Sequence, residues 1–174
     1  MSATSTPAGT SDASRARIDP RGPRFAATLT TVLLALVLLS APSPVGLALL
    51  AAQTLFFAVG AVAGVQHTPY AWLFKDLVRP RLGPPADLED AAPPRFAQTV
   101  GLAFAVVGLV GYATGLTLLG SIAIGLALAA AFLNAAFGFC LGCEMYLLVR
   151  RLAPATRTQN DSNRTGRNPV AAER

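Results

Sequence analysis

Charged residues are scarce in this sequence, and so are the residue types from which most enzyme sites are built. Only 13% of the residues are Asp, Glu, Lys or Arg, whereas an ordinary soluble domain has about 25%. There is one histidine, one lysine (Lys75), and the two cysteines are too few for a disulfide framework. These shortages, with a mean hydropathy of +0.50, exclude an ordinary soluble domain and predict a chain that contacts the lipid bilayer.

The positive charge flanks apolar runs rather than covering a polar surface. The 14 basic and 9 acidic residues give a net charge of +5. A nucleic-acid-binding protein would cluster its arginines on a folded polar face. We therefore expect no nucleic-acid partner, and we interpret the arginines as residues that orient the chain in a bilayer.

Four apolar runs are long enough to cross a membrane, namely residues 25–41, 45–66, 96–119 and 121–149. The fourth would be about 43 Å long if wholly helical, so it must tilt, kink or protrude. Residues 69–78, with three aromatics and a lysine, predict a short interfacial helix. The predicted class is an all-α membrane protein of four transmembrane helices, with turns at residues 42–44 and near Gly120.

The polar segments define the domains and the orientation. Residues 1–17 are predicted to be a disordered N-terminal segment, residues 18–152 the four-helix membrane domain, and residues 153–174 a disordered cytoplasmic tail. All 14 basic residues lie before the first run, between the second and third, or after the fourth. Because basic loops stay inside, this predicts a multi-pass protein of the bacterial cytoplasmic membrane with both termini in the cytoplasm.

An internal repeat indicates two tandem hairpins. The tetrapeptide Pro-Arg-Phe-Ala occurs at residues 23–26 and again at 94–97, each time directly before an apolar run. The ends of the second and fourth runs align with His67 opposite Cys143 and Tyr70 opposite Tyr146, which makes a parallel repeat. Glycine pairs spaced four residues apart allow two helices to approach closely. We interpret them mainly as contacts between helices of the same chain, although a homodimer contact is possible.

Cys140 and Cys143 are the residues on which any chemistry would depend. A spacing of three puts them on one helical face, about 5–6 Å apart at Cβ, which permits a disulfide after modest adjustment. Glu144, an acid at the membrane edge, shares a face with Cys140. Three interpretations remain open: a thiol pair in redox or sulfur transfer, a metal site completed by His67 and Glu144, and two buried packing residues.

The predicted position of the pair counts against thiol chemistry. Reactive cysteines of this spacing usually sit at a helix N-terminus, where the helix dipole lowers the thiol pKa. In a single helix over residues 121–149 the pair would lie in the last third, where the dipole and Glu144 disfavour a thiolate. Only nearby cations, or a helix break at Gly138 or Gly142, would reverse this expectation.

Three motifs together resemble an uncharacterised bacterial membrane family, domain of unknown function 4395. They are IDPRGPRF at residues 18–25, VRPRLGPP at 78–85 and FCLGCEMY at 139–146, and the likeness covers roughly residues 18–152. The family has no established activity. The resemblance implies that members of the family tend to occur beside rhodanese-type sulfurtransferases and thioredoxin-like proteins. It therefore implies thiol or sulfur handling by Cys140 and Cys143.

The functional hypothesis is a membrane protein that exchanges electrons or sulfane sulfur with a cytoplasmic thioredoxin-like or rhodanese-like partner. Cys143, which is nearer the water, would react first. Three arginines of the middle loop would form part of the partner-docking face: Arg79, Arg81 and Arg95.

The alternative is a non-enzymatic scaffold or a small-solute permease with structural cysteines. In that case Gln53 and Asn134 would matter more than the cysteines, because polar side chains within spans bond to other helices. No organic cofactor is expected under either hypothesis, and the sequence does not decide whether the protein is an enzyme.

Overall fold

A computed structural model describes residues 16–85 and 87–152. These residues form seven α-helices, two short turns of other helix types and a two-stranded antiparallel sheet. In chain order the elements are β1 (Arg17–Ile18), α1 (Arg21–Ser40), α2 (Pro44–Val62), a 3₁₀ turn (Val65–His67), α3 (Pro69–Leu73), a π-helical turn (Phe74–Val78), α4 (Arg79–Leu82), β2 (Glu89–Asp90), α5 (Ala92–Ala113), α6 (Thr117–Phe137) and α7 (Leu141–Leu152). The predicted disordered tail, residues 153–174, and residues 1–15 of the predicted disordered segment 1–17 lie outside the described residues.

Four of the helices, α1, α2, α5 and α6, are long and apolar enough to cross a membrane. Their mean hydropathy lies between 1.7 and 2.1, and each has 19 to 22 residues. The predicted all-α class with four spans is therefore confirmed. The small sheet of β1 and β2 is an addition that the sequence did not predict, because two-residue strands have no hydrophobic period to detect.

The four long helices pack pairwise around one apolar core. α1 packs on α6 and α2 packs on α5, while α5 packs on α6 and α1 on α2. The side chains of Leu34, Leu50 and Ile124 are completely buried at the centre. The turn that joins α1 to α2 and the turn that joins α5 to α6 contain no charged residue.

The arginine of each Pro-Arg-Phe-Ala repeat joins the start of one helix to the end of another. The guanidinium of Arg24, in α1, donates to two carbonyls in the last turn of α6, and that of Arg95, in α5, donates to two carbonyls in the last turn of α2. These four bonds run from Nε and Nη2 of Arg24 to Ala135 O and Ala136 O, and from Nε and Nη2 of Arg95 to Ala61 O and Val62 O, over 2.7 to 3.2 Å. Because the last carbonyls of a helix have no partner within it, each arginine satisfies groups that lipid would leave unpaired.

These contacts place the starts of α1 and α5 and the ends of α2 and α6 at the same end of the bundle. β1 pairs with β2 there, just before α1 and α5 begin. We call this the charged end, because every basic residue that the structure describes belongs to the segments that meet there. The four long helices therefore alternate in direction along the bundle.

Two predicted boundaries were wrong. α5 ends at Ala113 and the turn covers residues 114–116, so Gly120 lies within α6 rather than at the turn. Its missing side chain leaves room for the Tyr112 ring, which a Cβ would meet at 2.9 Å. The second error concerns the fourth apolar run, which is two helices: α6 ends at Phe137 and α7 begins at Leu141.

A buried polar contact ties α3 to α2. Gln53 is completely buried in α2, in agreement with the expectation that it faces other helices. Its Oε1 accepts a 2.6 Å hydrogen bond from the Tyr70 hydroxyl, whereas its Nε2 has no partner among the described residues. Burial raises the pKa of Tyr70 to about 12, with a smaller opposite effect from Thr30. The hydroxyl is therefore protonated and acts as the donor.

Tyr70→Phe is expected to lower the free energy of unfolding by about 1–3 kcal/mol, because it leaves the buried Gln53 amide with no partner at all. The double variant Tyr70→Phe/Gln53→Leu should recover most of the loss, since it removes both polar groups. Thermal unfolding in detergent measures both effects. Tyr146→Phe is the matched control, because the Tyr146 hydroxyl makes no hydrogen bond within the described residues. A double variant that is as unstable as the sum of its two single variants would contradict this account.

Candidate functional site

The break at Gly138 decides where the cysteines lie. Gly138 has a φ of 69°, a left-handed conformation that glycine adopts without strain and that ends α6. The amides of Gly138 and Phe139 donate to the carbonyls of Asn134 and Leu133, at 3.0 and 3.3 Å. The chain then turns at Cys140 and starts α7, so the two sulfurs belong to the first turn of a new helix.

Cys140 occupies the N-cap position of α7. Its carbonyl accepts the amide of Glu144 at 3.0 Å, which is the first bond of the helix, and its Sγ accepts the amide of Cys143 at 3.3 Å. The prediction that the pair lies in the last third of one long helix was therefore wrong. At a helix N-terminus the backbone amides and the dipole stabilise a thiolate, so the electrostatic argument against thiol chemistry is reversed.

Cys140 and Cys143 form a disulfide, with Cα atoms 5.2 Å apart. Both residues are partly buried, between the apolar ends of the spans and the charged end. Glu144 follows directly, in the first turn of α7, with an exposed side chain. An acid in the first turn favours the helix through its dipole, which gives Glu144 a structural role beside its proposed one.

α7 is held against α5 by a close approach at Gly142, between the two cysteines. A Cβ at Gly142 would meet Cα and Cβ of Ala97 at 2.7 Å, which is closer than any real contact. One turn further on, the Tyr146 ring packs on Phe96, with centroids 5.7 Å apart. The disulfide therefore lies on a helix that is packed on the bundle.

A cavity of about 300 Å³ opens beside the disulfide, and Cys140 forms part of its wall. Residues of α1, α5, α6 and α7 line it together with Phe57 of α2, and none of its lining residues is charged. Its polar lining is restricted to Cys140, Thr30, Gln98 and Asn134. Asn134 was expected to bond to another helix, but neither its side-chain amide nor that of Gln98 makes a hydrogen bond within the part of the chain that the structure describes. Gln98 and Thr30 were not singled out from sequence, because isolated polar residues in a span do not reveal whether they face a cavity.

The other half of the chain has the same local architecture without cysteines. α2 also ends before a glycine of positive φ, Gly64, and Thr68 then caps α3 by accepting the amide of Ala71 at 3.2 Å. In this correspondence Thr68 takes the place of Cys140 and Ala71 that of Cys143. The sequence alignment that paired His67 with Cys143 was therefore shifted. Since a threonine suffices for the cap, helix capping does not by itself explain two cysteines.

Aromatic contacts follow the same correspondence. Phe25 packs on Phe74 with ring centroids 5.8 Å apart, as Phe96 does on Tyr146. The Pro-Arg-Phe-Ala motif thus supplies both a bonding arginine and an aromatic contact to each half. The sequence analysis noted the repeated motif but did not predict these contacts.

The structure does not bring His67 to the cysteines. Its side chain is exposed at the end of the 3₁₀ turn, where Nδ1 lies 2.8 Å from Ala63 O. Among residues 16–85 and 87–152, no three His, Cys, Asp or Glu side chains form a group that could hold a metal ion. A disulfide also has no thiolate to offer a metal, so the geometry adds nothing to the metal hypothesis.

The three arginines of the predicted docking face have different surroundings. Arg79 and Arg81 are exposed on α4. Arg79 also lines a second cavity, of about 340 Å³, together with Arg17 and Lys75. Arg95 donates hydrogen bonds from both Nε and Nη2 to carbonyls of α2, so these two nitrogens already have partners.

Four apolar spans with a disulfide at the edge of the bundle define a small membrane protein with a cysteine pair at one end. The chain belongs to the DUF4395 family, described as a domain of unknown function, whose family model matches residues 18–151. The resemblance noted in the sequence is thus confirmed. No curated protein and no solved structure matches the chain.

Proposed function

We propose that Cys140 and Cys143 cycle between disulfide and dithiol in exchange with a thioredoxin-like or rhodanese-like protein. The observation that carries this proposal is the disulfide at the N-terminus of α7, at the charged end of the bundle. The positive-inside rule supports a cytoplasmic location for this end in a bacterial cell membrane, with both termini inside. A soluble partner would then reach the pair from the cytoplasm.

The exchange runs through a mixed disulfide. A thiolate of the partner attacks Cys143 Sγ, a new S–S bond forms, and the bond to Cys140 breaks. The leaving electron pair stays on Cys140 Sγ, where the Cys143 amide and the α7 dipole stabilise the charge. The second thiol of the partner then displaces Cys143, so the partner is oxidised and the pair is left as a dithiol. In the dithiol form, the Cys143 thiolate would instead attack the outer sulfur of a persulfide partner, so that a new S–S bond forms on Cys143, the S–S bond of the partner breaks and the partner's thiolate leaves.

Cys143 is the better entry point because the two cysteines have different surroundings. Cys140 lines the apolar cavity, whereas Cys143 does not belong to that lining. A soluble protein approaches from the aqueous side, so it meets Cys143 first. The role of leaving group suits Cys140, whose sulfur accepts a backbone amide.

The docking face combines α4 with the start of α7. Arg79, Arg81 and Lys75 are exposed at this end and favour a partner with an acidic rim around its own cysteines. Arg95 contributes positive charge, but its donors already bond to α2. We therefore assign most of the charge attraction to Arg79 and Arg81.

Single-cysteine variants test the order of attack. Cys140→Ser and Cys143→Ser, each activated as a thionitrobenzoate mixed disulfide, are mixed with a reduced thioredoxin that lacks its resolving cysteine. We expect thionitrobenzoate release to be at least about tenfold faster from Cys143 than from Cys140, because Cys140 lines the apolar cavity and Cys143 does not. The double variant Cys140→Ser/Cys143→Ser is the blank. Equal or reversed rates would contradict the assigned order. The exchange itself would be excluded by thiol trapping in cells that finds the pair in the same state with and without thioredoxin.

A further inference from the structure

We propose that the cavity beside Cys140 binds the head group of a lipid-soluble quinone, which accepts the two electrons of the reduced pair. This rests on the proposed function, because it names what reoxidises the dithiol once a soluble partner has reduced it. The cavity belongs to the same site, but its chemistry selects a different molecule from the partner that reaches Cys143.

The walls of the cavity select a neutral ligand that arrives through lipid. They are formed by all four spans and by the start of α7, with Phe57 as the contribution of α2, and no charged side chain lines them. A volume of about 300 Å³ lies at the lower limit of ligand pockets, which run from about 300 to 1,000 Å³. That volume accommodates a ring system of one or two rings, with an isoprenoid tail left in the bilayer.

Two side-chain amides select a ligand with carbonyl oxygens. Gln98 of α5 and Asn134 of α6 both line the cavity, and within the described residues neither amide has a hydrogen-bond partner. Both residues are partly buried, and an acyl chain of a lipid would offer neither amide a hydrogen-bond partner. A quinone carries two carbonyl oxygens that accept such bonds, and these oxygens are the atoms that gain charge on reduction.

The disulfide is placed to pass electrons between two environments. Cys140 contacts the cavity, and Cys143, three residues later, lies outside its lining. In the reoxidation step the two S–H bonds break and the Cys140–Cys143 S–S bond forms. Both electrons and both protons pass to the quinone, which becomes a hydroquinone. No other oxidant is required.

The second cavity shows that this chemistry is specific to one half of the chain. It shares Pro23, Ala26, Pro94 and Gln98 with the first cavity, but Thr68 replaces the cysteine in its wall. Arg17, Lys75 and Arg79 also line it, which makes it a poor site for a neutral ring. A threonine has no redox chemistry, so of these two cavities the one beside Cys140 combines an apolar wall with an electron donor.

The test uses the full chain in lipid nanodiscs, reduced with a phosphine and freed of the reductant. A ubiquinone analogue with a ten-carbon tail is added, quinol formation is followed by ultraviolet absorbance, and the disulfide is followed by a maleimide gel shift. We expect one quinol per disulfide formed. Ala130→Phe, which fills the cavity from α6, should slow the reaction at least tenfold at limiting quinone. Ala129→Phe, at the neighbouring exposed position outside the lining, should not.

A second variant protects the test against misfolding. Asn134→Leu keeps the branched shape of the side chain but removes its amide, so the KM for the quinone should rise about tenfold, the effect of one hydrogen bond worth about 1.4 kcal/mol. Equal rates in Ala130→Phe and Ala129→Phe, or a rate that does not saturate with quinone, would overturn the inference. In a separate arm, reduced thioredoxin is added to the oxidised unmodified protein. Failure of that arm alone would exclude the proposed partner and leave quinone reduction by the pair supported.

Discussion

Gly142→Leu is expected to detach α7 from α5 and to destabilise this contact by about 3 kcal/mol or more, the upper end of overpacking effects. A Cβ at this position would lie 2.7 Å from the backbone and the side chain of Ala97. Ala97 is part of a long helix, so it cannot yield as the end of a flexible side chain would. The helix that carries both cysteines must therefore move away as a unit.

Two measurements follow from this displacement. The melting temperature in detergent should fall, and the reduced Cys140 should be alkylated faster, since it is no longer partly covered. Gly125→Leu is the matched control: it lies within α6, and a Cβ there meets nothing within 4 Å. That control should change stability by no more than about 0.5 kcal/mol. If both variants behave alike, the close packing at Gly142 is not what positions the pair.

Replacing both bonding arginines by lysine should cost about 2–4 kcal/mol of unfolding free energy, or about 1–2 kcal/mol for each. Lysine keeps the positive charge, and with it the orientation signal, but it cannot place two donors on adjacent carbonyls. Arg24 and Arg95 each make two such bonds, to different helices. Hydrogen bonds to charged groups contribute about 1.5–3 kcal/mol, and we expect less here because both arginine side chains are partly in water.

The measurement is thermal unfolding of Arg24→Lys, Arg95→Lys and the double variant. The two losses should add, since the arginines share no partner. Arg81→Lys is the control, because Arg81 is exposed and makes no hydrogen bond with the residues that the structure describes. A double variant as stable as the unmodified protein would show that the carbonyls find other partners.

The sequence predicted the spans well because long uncharged runs have few alternatives in a chain with so little charge. It also located the two arginines, since Pro-Arg-Phe-Ala recurs directly before a span. It did not reveal what they bond to, because Arg24 and its acceptors in α6 are more than a hundred residues apart. Contacts of that kind depend on which helices become neighbours.

The position of the cysteines was wrong for a different reason. Residues on both sides of Gly138 are apolar, so hydropathy continues smoothly through a point at which the backbone turns. A glycine within a helix and a glycine of positive φ look the same in a sequence. Gly64 and Gly115 adopt positive φ as well, whereas Gly111 and Gly142 serve close packing, so spacing alone does not separate the two roles.

The cavity could not be predicted because it is formed by residues of five helices, most of them distant in sequence. Asn134 and Gln98 look like ordinary polar residues in a span until α5 and α6 are placed side by side. Cys140 was recognised as a candidate from its spacing to Cys143. Its position between an apolar space and the charged end is information that only the packing supplies.

Arg24 and Arg95 each hydrogen-bond to a helix in the other half of the chain, so their bonds become possible in a fixed order during synthesis. When the first two spans emerge from the ribosome, Ala61 and Val62 still lack the donor that arrives with Arg95, and Arg24 has nothing to hold. The bonds of Arg95 to α2 can form once α5 has been synthesised, and the bonds of Arg24 can form once α6 has been synthesised. The full set of four bonds can therefore form only after all four spans have been synthesised, and α6, which supplies the acceptors of Arg24, is the helix that leads directly to the disulfide.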